Sequence, residues 1–204
     1  MMSKKADMGI GTLVIFIAMI LVAAIAAGVL IQTASSLQNR ALLTGDRTRG
    51  QVSTGMTTLL LYATNGTDGG VDDFRQKIQL SPGSDPVTLE SALLSFDTDS
   101  VSGDYVYSND TCQFDETEGA GEGYFYDEAN NNGTFTVRYL VEGPNNQEGY
   151  MVRGDIVELC YRAPEEIRED TTLRIGFNPQ VGTPLNVETS TPNIMTSERI
   201  YIFP

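Results

Sequence analysis

The chain has 204 residues, with 13 Lys and Arg against 27 Asp and Glu, a net charge of −14 and an isoelectric point near 4.2. So acidic a surface repels phosphate and anionic headgroups, which argues against a nucleic-acid partner. The absence of His removes Ser-His-Asp and Cys-His catalysis and His-ligated metals, and two cysteines, Cys112 and Cys160, are too few for a four-thiolate zinc site.

The amino end departs sharply from these averages. From Met8 to Asn39 no side chain is charged, and from Ile10 to Ile31 almost every residue is apolar. As a helix at ~1.5 Å per residue this stretch reaches roughly 48 Å, beyond the ~30 Å hydrocarbon layer. A single strand in lipid would leave its backbone groups unpaired, so helix is the required form. Gly45, Gly50 and Gly55 punctuate the segment beyond it, and the helix is expected to persist to about residue 50. A short basic leader with Lys4 and Lys5 precedes the apolar run, which is about twice as long as a secretory signal's apolar core. Cutting after Ala6 would keep the helix and leave Lys77 as the only lysine. Small residues recur at four-residue spacing, Ala23/Ala27 and Ala24/Gly28, which lets helix backbones approach closely. A plain membrane anchor explains the apolar run but needs neither that spacing nor the polar helical extension.

From Met56 the pattern changes to short runs of Val, Ile, Tyr, Phe and Thr between Gly, Asn, Asp and Pro clusters. Strands are expected at Thr57–Ala63, Phe74–Leu80, Ser91–Phe96, Tyr105–Tyr107, Thr134–Val141, Asp155–Arg162, Thr172–Phe177 and Arg199–Phe203. This spacing predicts an antiparallel β-sandwich or barrel, and hence an α+β chain. Asn-x-Ser/Thr sequons at Asn65, Asn109 and Asn132 each lie in a turn-rich segment, where a glycan has room. Lys4 and Lys5 ahead of the span oppose Arg40, Arg47 and Arg49 behind it, and the sequons tip the orientation toward an external carboxy-terminal domain. Outside the cell Cys112 and Cys160 are expected to pair, closing a loop worth ~4 kcal/mol; two unpaired thiols are the alternative. Asp115, Glu116, Glu118, Glu122, Asp127 and Glu128 form an acidic cluster. It lacks the spacing of a calcium loop and reads as solvated surface, so no metal is assigned. The Gly119–Gly123 stretch has no lysine and follows no strand, so it is not a nucleotide loop. No catalytic residue or cofactor is assigned, and the chain is not expected to be an enzyme.

The run Lys4-Lys5-Ala6-Asp7-Met8-Gly9-Ile10-Gly11, with the apolar stretch behind it to Ile31, resembles the amino terminus of archaellins, the subunits of the archaeal swimming filament. Two further stretches are similar to the family: Ser81-Pro82-Gly83-Ser84-Asp85-Pro86, and Asn178-Pro179-Gln180-Val181-Gly182-Thr183-Pro184 with the closing Ile200–Phe203. The resemblance implies cleavage by a prepilin-type signal peptidase between Ala6 and Asp7. Family members usually carry Gly before the cut, and Asp7–Met8 is the alternative bond. Gly11 would then be fifth in the mature chain, where bacterial type IV pilins usually have Glu. Residues 1–6 would be the signal peptide, 7–55 the helix and 56–204 the outer β-domain. The resemblance further implies that Ile10, Phe16, Ile20, Ala23, Ala24, Ala27, Gly28 and Ile31 pack into a filament core with copies of the chain or its paralogues. It also implies an assembly ATPase and a membrane platform protein acting in trans. The expected protein is thus a structural subunit of an extracellular filament, membrane-inserted before assembly. An adhesive type IV-like pilin and a membrane-anchored extracellular binding domain are the alternatives.

Overall fold

No proline occurs before Pro82, and nothing interrupts the first element, α1 (Ser3–Ser53), a 51-residue helix. At ~1.5 Å per residue it is roughly 76 Å long. Its threonines hide their hydroxyls in the backbone: Thr12 donates to the Gly9 carbonyl at 3.0 Å, Thr33 to Leu30 at 2.9 Å, Thr44 to Arg40 and Thr48 to Thr44, both at 2.8 Å. Such back-bonding spares a polar group from seeking a partner in an apolar setting. The computed structural model describes residues 3–64, 66, 69–110, 112, 126–127 and 132–204. By compactness the chain divides into residues 1–48 and residues 49–204.

The second unit is built on β1 (Met56–Thr64), β2 (Gly70–Leu80), β3 (Val87–Thr88), β4 (Leu93–Thr98), β5 (Ser102–Tyr107), β6 (Tyr126–Asp127), β7 (Asn132–Val141), β8 (Tyr150–Met151), β9 (Ile156–Arg168), β10 (Thr172–Asn178), β11 (Leu185–Ser190) and β12 (Arg199–Phe203). Ten of these form one sheet in the order β11-β10-β4-β5-β7-β9-β2-β1-β12, with β6 added on β7; β3 and β8 pair separately. Strand β7 joins the two halves. Its residues 132–135 pair with β5, and its residues 136–141 pair with β9. The ends of the path come together where the Thr189 hydroxyl of β11 donates to the Ile202 carbonyl of β12 at 2.9 Å. The sheet is therefore curled on itself, as the sandwich or barrel expectation requires.

Among the described residues, pairing is antiparallel except between β5 and β7, which run parallel. A parallel pair cannot be joined by a tight turn, and the long connection between these strands meets that need. Four short or polar strands, β3, β6, β8 and β11, were not anticipated, and β9 runs six residues past its expected end. Within that extension lies Pro164. On β2 the lone Asp72 stands opposite residues 163–166 of β9, since Asp73 pairs with Arg162 and Val71 with Ile167. Pro164 thus sits in a bulge, where a missing N–H leaves no gap in the ladder.

The interior of the curl is aromatic. Phe74 lies 5.1 Å from Phe96 and 5.9 Å from Tyr161, centroid to centroid, and Phe135 lies 6.0 Å from Phe177. These rings come from β2, β4, β7, β9 and β10, so they fasten one half of the sheet to the other. Leu61, Ile78, Leu94, Leu159, Leu173 and Ile175 complete the packing, all buried. Each such side chain contributes ~1.5–3 kcal/mol on leaving water.

A disulfide joins Cys112 to Cys160 of β9, with Cα atoms 5.9 Å apart. It ties the β5–β7 connection to the outward face of β9. The Tyr139 hydroxyl of β7 donates to the Tyr150 carbonyl of β8 at 2.7 Å, and burial pushes its phenol up to about 12.

Both contacts can be tested by substitution. Replacing both cysteines, Cys112→Ser with Cys160→Ser, should cost about 4 kcal/mol and lower the melting temperature of the detergent-solubilised chain by about 10 °C; calorimetry checks this. A raised phenol pKa means that the Tyr139 proton stabilises the fold fully below pH ~10 and ceases to do so as pH rises through about 12. Between those values the melting temperature should therefore fall less steeply in Tyr139→Phe than in the unaltered chain.

Candidate functional site

The largest unmet requirement in the chain is the surface of α1. All fourteen large apolar side chains from Ile10 to Ile31 are exposed, Ile15 by 66%, Phe16 by 64%, Ile25 by 68% and Ile31 by 70%. They point in every direction about the axis, so the helix has no polar side to turn to water. Burying fourteen such groups is worth roughly 20–40 kcal/mol, at or beyond the practical ceiling of non-covalent association. A surface of this kind is held by lipid or by other helices, not by solvent.

The eight positions expected to pack, Ile10, Phe16, Ile20, Ala23, Ala24, Ala27, Gly28 and Ile31, all lie on this exposed surface. Around Gly28 no heavy atom beyond the helix's own backbone comes within 4 Å of where a Cβ would stand. A shallow groove of about 570 Å³ starts there and continues past Ile31, Ser35 and Asn39 to Leu43. Small residues, Gly28, Ser35 and Ser36, lie along it, the geometry that admits a neighbouring backbone. Ala6 and Asp7 fall in the first turns of α1.

The β-domain positions are distributed differently. Asn109 is exposed, and its Oδ1 accepts a hydrogen bond from the Tyr107 hydroxyl at 3.0 Å. Asn132 opens β7, and Asn65 lies outside the described residues. Of the acidic cluster, Asp127 falls in the backbone of β6, while Asp115, Glu116, Glu118, Glu122 and Glu128 lie outside the described residues. Among the described residues one group of potential metal ligands comes together, Cys112, Glu158 and Cys160. Two of its three members are spent in the disulfide, so it offers no thiolate.

Sequence reasoning missed the polar rows on the outward face of β7, β9, β2 and β1. Glu158 is fully buried there. It accepts a hydrogen bond from the Tyr62 hydroxyl at 2.7 Å, pairs with Arg138 and has the Lys77 ammonium 3.9 Å away. Arg138 and Lys77 stand directly across from Glu158 on the flanking strands. Two rows along, past Cys160, Arg162 holds Asp73 through two hydrogen bonds, of 2.7 and 3.3 Å. Burial raises the Asp73 pKa despite the opposing pull of Arg162, and the Asp73 hydrogen bond raises that of Arg162. Burial, helped by Glu158, likewise raises the Tyr62 phenol, whose ring carries the Arg199 guanidinium at 4.9 Å. The signal was present in β9, where Glu158, Cys160 and Arg162 alternate with Val157, Leu159 and Tyr161. This arrangement satisfies buried charge with charge, which is the work of a structural network rather than of a reactive centre.

Residues 6–189 match the profile of the archaeal-type flagellins. The chain belongs to that family. Flagellin B1 of Methanocaldococcus jannaschii is 32% identical over 205 residues, covering 95% of this chain and 93% of that protein. Flagellin B1 of Thermoplasma volcanium is 40% identical over 109 residues, a stretch covering 51% of this chain and 44% of that relative. Among solved structures, the crystal structure of an archaeal flagellin from M. jannaschii matches with a TM-score of 0.60 at 20% identity, over 73% of this chain and 96% of that one. The archaeal flagellum of Methanospirillum hungatei matches with a TM-score of 0.66 at 11% identity, over 96% and 99%. At these identities the structures share the fold: one long apolar helix and a mostly antiparallel sheet.

If neighbouring backbones use the small-residue face, Ala24→Leu and Gly28→Leu should insert into membranes normally yet yield about tenfold fewer filaments, the factor that ~1.4 kcal/mol of lost packing represents. Quantifying sheared filament protein against membrane-bound chain measures this.

Proposed function

We infer that this chain is a structural subunit of the archaeal swimming filament. The observation that carries the reading is a helix apolar on all sides, uncovered over the 22 residues from Ile10 to Ile31, in a chain of the archaeal-type flagellin family. Identical copies supply the cover: helices bundle into a core, and the β-domains form the exterior. The protein is read as a building element and not an enzyme, as its flagellin relatives suggest; its buried carboxylates Glu158 and Asp73 are held in ion pairs with Arg138 and Arg162.

Before assembly the helix resides in lipid with the β-domain outside the cell. Moving it from lipid to a protein bundle recovers little hydrophobic free energy, so packing is the main gain and extraction requires a driven machine. That machine is an assembly ATPase with a platform protein, both acting in trans. A prepilin-type signal peptidase first cuts between Ala6 and Asp7, removing Lys4 and Lys5 while keeping the apolar run. Glycans on sequons such as the exposed Asn109 would clothe the exterior.

Mass spectrometry of material sheared from cells tests the reading. The expected species begins at Asp7, comes from long fibres and carries added mass on at least one of the peptides with Asn65, Asn109 or Asn132. Intact chain beginning at Met1, recovered solely from the membrane fraction, would overturn it.

A further inference from the structure

The two loops that resemble family motifs, residues 81–86 and 178–184, meet at one place, the exit of α1. Ser84 is almost fully buried. Its hydroxyl serves Gly55 twice, donating to the carbonyl and accepting from the N–H, each at 3.0 Å. The Ser81 N–H donates to the same carbonyl at 2.9 Å, and the Asp85 N–H donates to the Thr54 hydroxyl at 3.3 Å. From the other loop, the Thr183 N–H donates to the Thr54 carbonyl at 2.8 Å. The Thr183 hydroxyl reaches the Gln51 carbonyl at 3.4 Å, 132 positions away in sequence.

A helix end normally leaves its last carbonyls to water or to a left-handed glycine just beyond. Gly55 is placed for that role but does not adopt the left-handed conformation. The cap comes from the distant loop instead. Gly182, at φ 123°, makes the approach possible: a Cβ there would stand 3.0 Å from Thr54 Cγ2 and 3.1 Å from the Thr54 carbonyl oxygen. Gly50 faces it from the helix, where a Cβ would lie 3.3 Å from Val181 Cγ1.

We propose that these two loops are a mechanical lock on the last turn of α1. One loop leaves β2 and the other leaves β10, strands from opposite halves of the curled sheet. Load on the turn therefore passes into both halves at once, rather than through a single peptide free to swivel. The lock deepens the filament reading, since the load it bears is that of a turning filament, and it assigns to both motifs a positioning task.

Residue-resolved hydrogen exchange on the whole chain in detergent tests the lock without requiring a filament. The amides of Thr54, Gly55 and Thr183 should exchange as slowly as those of β2 and β9. Ser84→Ala should speed the Gly55 amide, and Gly182→Ala the Thr183 amide, by about tenfold or more, with β9 unaffected, as expected when a buried hydrogen bond is lost. Exchange at exposed-loop rates in the unaltered chain overturns the proposal, whatever the variants do. In cells, Ser84→Ala filaments should form in normal amount yet break under milder shear. Unchanged shear resistance with lost protection would remove the mechanical role. Cells lacking filaments altogether would sink the filament reading, while the detergent experiment still decides the lock.

Discussion

Everything in this chain answers to an apolar rod, the part of α1 from Ile10 to Ile31, whose side chains stand exposed. Water is excluded as a lasting environment by the size of the exposed apolar surface, and two environments remain, bilayer and helix bundle. Between those two the hydrophobic effect is nearly indifferent, which transfers the decision to shape. Small side chains along one face of α1 and threonine hydroxyls folded back onto the backbone suit both settings. The same helix can therefore be a solute in lipid first and a packing element later, without refolding.

The β-domain solves a different problem, which is to remain a defined object while strongly acidic. Its rigidity comes from an aromatic interior shared by both halves of the sheet, and from charge pairs laid across neighbouring strands on the outside. The disulfide adds a covalent tie at Cys160, within the same outward face as Glu158 and Arg162. Because these cations are committed to carboxylates inside the domain, the surface keeps the negative excess of the whole chain. That excess favours solubility of the exterior and discourages polyanion binding.

How much of this could be read beforehand depended on whether the cause was local. Uninterrupted apolar residues made α1 legible to within a few positions, and β12 was expected from Arg199 to Phe203, where it is found. Strands with an apolar–aromatic rhythm, such as β1 and β7, were located with ends a residue or two short. Those whose existence depends on a partner were missed. Strand β11 alternates Leu185 and Val187 with polar residues behind Pro184, too weak a signal without β10 beside it. The end of β9 was hidden by Pro164, which only the bulge opposite Asp72 makes acceptable. The same limit applied to the polar rows: nothing adjacent in sequence to Glu158 announces that Lys77 and Arg138 flank it. The two Pro- and Gly-containing motifs were visible as a resemblance, but their convergence on Thr54 and Gly55 is a tertiary fact.

One side chain in that outward face has a practical corollary. If the proposed cut removes the first six residues, Lys77 becomes the sole lysine, and its ammonium lies beside buried Glu158 and against the Tyr62 ring. Amine-reactive dyes would find little beyond the chain's new α-amine, and thiol dyes find both sulfurs already bonded. Fluorescent tracking of such fibres calls for an introduced cysteine or a sugar-directed tag.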